Sequence, residues 1–84
     1  MKHAGPAALD ALAPLLEAIR ARPGLTERKP GVFYRKHQAW LHFHEDPAGL
    51  FADLKVEGDW KRFDVTDAAG GVALVACLDA EIGA

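Results

Sequence analysis

Leu50, Ala52, Leu54 and Val56 alternate with Phe51, Asp53 and Lys55, and this period of two is the tightest restriction the sequence places on the fold. Successive side chains of a strand point to opposite faces, so the segment is a strand with one covered and one open face. The parity recurs on both sides: Leu41 and Phe43 precede it, and Phe63 and Val65 follow it. Glu45-Asp46-Pro47-Ala48-Gly49 joins the first pair of strands, with proline early and glycine late as turns prefer. Gly58-Asp59 supplies a tight turn for the next hairpin, and His37-Gln38 a two-residue turn that brings Val32 and Tyr34 onto the same face. The reading is a four-stranded antiparallel meander from Val32 to Val65.

Before the meander the period is helical. Leu9, Leu12, Leu16 and Ile19 form one stripe. Pro6 suits a first turn, and Pro14 lies inside the segment but off the stripe. One kinked helix from Pro6 to Arg22 is expected, with a restart at Pro14 as the other option. Pro23-Gly24 ends it, and Leu25 to Gly31 reads as a polar connector. After the meander, Asp67 caps a last helix whose Val75, Leu78 and Ile82 form its apolar stripe, with Gly70-Gly71 weakening its first turn. The predicted class is α+β, in the order α-β-β-β-β-α, with two helices packed on one face of the sheet. That covered face is Val32, Tyr34, Leu41, Phe43, Leu50, Ala52, Leu54, Phe63 and Val65.

Composition limits what such a domain does. Eighty-four residues make a single domain, 1–84. Hydrophobic residues at 50% and charged residues at 26% match an ordinary soluble globule. No apolar run approaches the roughly 18 residues of a membrane span, so no membrane partner is expected. Asp10 and Pro14 interrupt the apolar stretch that a secretory signal would need. The lone Cys77 forms no internal disulfide and no cysteine-based zinc site, and a cytoplasmic protein is the expectation. Serine and asparagine are absent, and Thr26 and Thr66 are the only threonines. Serine-nucleophile hydrolysis and P-loop phosphate binding therefore drop out. The net charge of −2 is bipolar: Arg20, Arg22, Arg28, Lys29, Arg35 and Lys36 cluster early, and most acids follow His44. This pattern fits a local anion site or self-association better than general nucleic-acid binding.

Two helices leave one sheet face uncovered, and parity assigns Phe33, Arg35, Trp40, His42, His44, Phe51, Asp53, Lys55, Arg62 and Asp64 to it. An open antiparallel face is usually polar, whereas this one carries three aromatics and two histidines. Phe33, Arg35, Trp40, His42, His44, Phe51 and Asp53 are the candidate binding or interface residues, with Arg35 stacking on Trp40. The leading expectation is a non-catalytic interaction module, acting as a homodimer through this face or an edge strand.

His42 and His44 share a face and are the candidate metal ligands of an alternative reading. Asp53, Asp64 or His37 would supply a third ligand to zinc. General acid–base catalysis by either histidine beside Asp53 is chemically open, but the sequence composes no triad and implies no deep pocket, so no catalytic residue is assigned. Cys77, flanked by Asp79, lacks the electropositive setting of a reactive thiolate. A third reading places nucleic acid on Arg28, Lys29, Arg35 and Lys36.

The block Lys29-Pro30-Gly31-Val32-Phe33-Tyr34-Arg35-Lys36, followed by Trp40-Leu41-His42-Phe43-His44-Glu45-Asp46-Pro47-Ala48-Gly49-Leu50-Phe51-Ala52-Asp53, resembles a group of small uncharacterised bacterial proteins. The resemblance covers roughly residues 15 to 65 and implies no particular activity. A looser similarity, of architecture alone, is to double-wing bacterial DNA-binding domains.

Overall fold

A computed structural model describes residues 1–83. Over these residues the chain forms six strands and three helices: β1 (Lys2–His3), α1 (Pro6–Ala11), α2 (Ala13–Arg20), β2 (Leu25–Lys29), β3 (Val32–Arg35), β4 (Gln38–Asp46), β5 (Gly49–Val56), β6 (Asp59–Asp64) and α3 (Ala68–Gly83). The sheet is antiparallel with the order β2-β3-β4-β5-β6, and β1 pairs with the later half of β4. The α+β class and the consecutive hairpins agree with the sequence reading. The strand count is six rather than four, and the helix count three rather than two.

Each difference has a local cause. Pro14 cannot donate a backbone bond, and the chain resolves this by breaking at Leu12 and restarting, with Pro14 in the first turn of α2 where no donor is needed. Leu25–Lys29 is polar because it is an edge strand, of which only Leu25 packs against the core. It pairs only with β3, and a bulge at Arg28 disrupts the ladder. β1 is two residues long and visible only through its pairing of Lys2 with Glu45 and His3 with His44.

All three helices contribute to one core. Leu12, Leu16, Ile19, Leu74 and Leu78 pack with Phe33, Leu41, Phe43, Ala52 and Leu54, and the edge of the Phe33 ring meets the Phe43 ring at 6.5 Å. Ile19, Leu41, Phe43, Ala52, Leu54, Leu74 and Leu78 have no exposed surface. Burying a side chain of this size contributes about 1.5–3 kcal/mol. Asp67 caps α3 by accepting from the Gly70 amide at 3.0 Å. Gly70 is required by approach, since a Cβ there would overlap the Asp64 carbonyl oxygen. Arg22 clamps the end of α2 to α3 through two bonds to Asp79, at 2.9 and 3.0 Å.

The first hairpin corrects the assignment of faces. Its turn is Lys36-His37, both at positive φ (52° and 66°), rather than His37-Gln38. Arg35 pairs with Gln38 and Tyr34 with Ala39, but Phe33 pairs with Leu41 and Val32 with His42, leaving Trp40 as the extra residue of a bulge. A shift of one residue exchanges the two faces of a strand. Phe33, 1% exposed, and Trp40, 6% exposed, therefore lie in the core, and Val32 and Tyr34 move to the open face. Arg35 follows the parity of Phe33, and its guanidinium lies 5.3 Å from the centroid of the Trp40 ring. The stacking foreseen for this pair is present, on the covered side. The last hairpin turns at Glu57-Gly58 rather than Gly58-Asp59, a two-residue shift in register that leaves parity intact.

Candidate functional site

β4 carries His42 and His44 outward in alternation with Leu41 and Phe43, which point into the core. On its β5 flank, His42 pairs with Asp53 and His44 with Phe51. Asp53 in turn pairs with Arg62 of β6, and Lys55 with Trp60. These seven positions share one parity across the three strands, and with it the face that no helix covers.

At the centre of the face is a chain of polar contacts. Arg62 donates to both oxygens of Asp53, at 2.8 and 2.9 Å. The second Asp53 oxygen lies 3.2 Å from His44 Nε2. The Asp53 charge attracts a proton to the His44 ring without a hydrogen bond between them. The Arg62 bonds, with the arginine charge beside them, hold the Asp53 carboxyl below its usual range. Desolvation is the largest influence on both histidines and lowers both. His44 also repels a proton on His42, while Asp53 works in the opposite direction on each. The two rings stand edge to face with centroids 6.1 Å apart. His42 also packs against Trp60 at 5.0 Å, and the Lys55 ammonium lies 5.0 Å from the same indole.

On the other flank of β4 is a shallow concavity of about 260 Å³, lined by His3, Lys29, Val32, Tyr34, Ala39, His42 and His44. β1 supplies His3 beside His44, and β2 supplies Lys29. His3 Nε2 lies 3.0 Å from the Pro30 carbonyl oxygen. A carbonyl only accepts, so this nitrogen carries the proton. Arg28 lies over Tyr34 at 4.4 Å.

Of the residues singled out in the sequence, the structure brings together His42, His44, Phe51 and Asp53 on the open face, and separates Phe33, Trp40 and Arg35 from them. His37 sits in the β3–β4 turn, and Asp64 accepts from the Thr66 amide at 2.9 Å. Neither joins the histidines. Among the described residues, no three His, Cys, Asp or Glu side chains gather in a geometry that would hold a metal ion. Much of the basic segment is paired within the chain: Arg20 bridges Glu17 and Glu27, and Arg22 holds Asp79. Cys77 is partly buried against the core.

Sequence reasoning missed His3, Lys29 and Tyr34 as members of this face, and it placed Arg62 there without making it a candidate. The alternation of β5 and β6 carried the signal for Arg62. No local signal marks His3, whose position depends on pairing with a strand distant in sequence. The helical layer has its own apolar groove of about 510 Å³ between α2 and the start of α3, lined by Leu15, Ala18, Gly71 and Val75 among others. It contains none of the histidines. Among the described residues, no helix is long and apolar enough to cross a membrane. Comparison with models of protein families, with curated proteins and with solved structures yields no match to this chain.

Proposed function

We propose that this protein is a non-catalytic cytoplasmic binding module that works by contact through the open face of its sheet, as a homodimer. The observation that carries this reading is the continuity of Tyr34, His42, His44, Phe51 and Trp60 on a face that no other element covers, with Trp60 46% exposed at its margin. Contiguous apolar and aromatic surface on a small domain marks a site of association. The alternative of edge pairing through β6 is disfavoured by its charges. Antiparallel self-pairing centred between Lys61 and Arg62 sets Asp59 against Asp64 and Lys61 against Arg62, and like charges opposite one another destabilise a ladder. A face-to-face dimer avoids this.

The test is sedimentation equilibrium of the untagged protein. A mass near twice 9.1 kDa that falls to the monomer value in Trp60→Asp supports the reading, and a monomer at high micromolar concentration overturns it. Trp60 is the informative position because Trp40 belongs to the core, where an aspartate would unfold the chain.

A further inference from the structure

We propose that the concavity formed by His3, Lys29, His42 and His44 is a binding site for a small tetrahedral oxyanion of the phosphate type. Four basic side chains from three strands converge on about 260 Å³. Its walls also hold Val32, which is only 8% exposed, and Tyr34.

The charge balance favours an anion. Lys29 enters from β2, His3 from β1, and His42 and His44 from β4. Asp53 of β5 faces the histidines and is engaged by Arg62 of β6 through two bonds, while Asp46, which shares their parity beyond His44, accepts from the Ala48 amide, and Asp64 accepts from the Thr66 amide. The concavity is thus lined by groups that are cationic or become so and by no carboxylate, and the acid beside His44 is paired with Arg62. After desolvation, the largest influence, His44, His3 and Lys29 oppose protonation of His42, and Arg62, His3 and the amino terminus oppose that of His44. An anion bound among them reverses that balance, because each imidazolium then gains a partner. A doubly charged oxyanion fits two imidazoles and an ammonium better than a single carboxylate does.

The concavity shares Tyr34, His42 and His44 with the proposed contact face, but every group named belongs to one chain, so the site does not require the dimer. The experiment is a histidine-resolved NMR titration of the untagged protein with sulfate, whose charge stays fixed across the pH range. It is compared with sodium chloride at equal ionic strength, so that general screening cancels. Sulfate is expected to raise the His42 and His44 midpoints saturably, by about one pH unit, which corresponds to roughly tenfold tighter binding to each protonated imidazole. Lys29→Gln, on an exposed edge strand, is expected to weaken sulfate roughly three- to tenfold. Lys55→Gln, on the same face but outside the concavity, leaves it unchanged. Phenyl phosphate in a parallel titration separates the sources: tighter binding than sulfate assigns the site to a phosphate monoester, and equal binding assigns it to the free oxyanion. Midpoints that move no further in sulfate than in chloride overturn the inference. So does a response that fails to saturate, or an equal loss in Lys55→Gln. Diffusion on the same samples separates the two proposals, since a saturable response in a monomer retains the anion site and removes the dimer.

Discussion

The two faces of this sheet are built from the same strands, one residue apart, and they have opposite chemistry. On the covered face Phe33, Leu41, Phe43, Ala52 and Leu54 are enclosed by three helices and carry no polar side-chain group. On the open face their immediate neighbours include His42, His44, Phe51 and Asp53, which are half-buried, titratable or ion-paired. The first face holds the chain together. The second is maintained by contacts worth little to folding, so its particular residues call for another explanation. A small domain stabilised by one core has stability to lose on the covered side and specificity to lose on the open one.

The largest effect expected from this contrast is on the covered face. Phe43→Ala should cost about 3–5 kcal/mol, comparable to the whole stability of a domain this small, and leave the chain largely unfolded at room temperature. A cooperative thermal melt within a few degrees of the parent would break the comparison. Trp40→Asp should behave in the same way, because a charge would enter the core.

Acid should act next, through the open face. His42 and His44 are held below the ordinary imidazole value of 6.5. Between that value and their folded midpoints the unfolded chain binds more protons than the folded one. Their contribution is therefore complete above about pH 6.5 and lost as pH falls through the folded midpoints. Asp53, held below 3.8 by Arg62, contributes with the same sign at lower pH: it is present above the unfolded value and lost as pH falls through the folded one. Denaturant midpoints measured from about pH 8 to about pH 5 should decline, and the decline should flatten in the His42→Gln/His44→Gln double variant. A rise in stability on acidification across that window would contradict the account.

Smaller again is the ion pair. Arg62→Gln should change stability by less than about 1 kcal/mol, since its side chain is half exposed. It should nevertheless raise the His44 midpoint by freeing Asp53 and removing a nearby positive charge. Asp53→Asn should lower that midpoint. Histidine NMR reads both, and movements in the same direction would remove Asp53 as the link between the two residues. Smallest of all, Trp60→Asp should alter stability by no more than about 0.5 kcal/mol in urea melts. A larger loss would make Trp60 part of the folding core rather than of the contact surface.

The contrast between the faces also shows what the sequence makes legible. β4, β5 and β6 alternate so regularly that the covered residues from Leu41 to Val65 follow from parity, and the two-residue shift at the Glu57-Gly58 turn does no harm. One extra residue at Trp40 exchanges the two faces of β3, placing Phe33 in the core and Val32 and Tyr34 outside it. No propensity marks that bulge, and Lys36-His37 is an unusual pair for a turn with two positive φ values. His42, His44 and Asp53 were legible as a group because they sit on the regular strands. His3 and Lys29 were not, since their places depend on β1 and β2, whose composition is that of polar edge segments.

The claim at the centre of this account is that the open face is where the protein makes contact. An isotope-filtered nuclear Overhauser experiment on an equimolar mixture of labelled and unlabelled chains tests it most directly. The account predicts intermolecular contacts to ring protons of Trp60, Phe51 and His42, and none to Leu15 or Val75 in the helical groove. Contacts confined to that groove, or no intermolecular contacts at millimolar concentration, would contradict it.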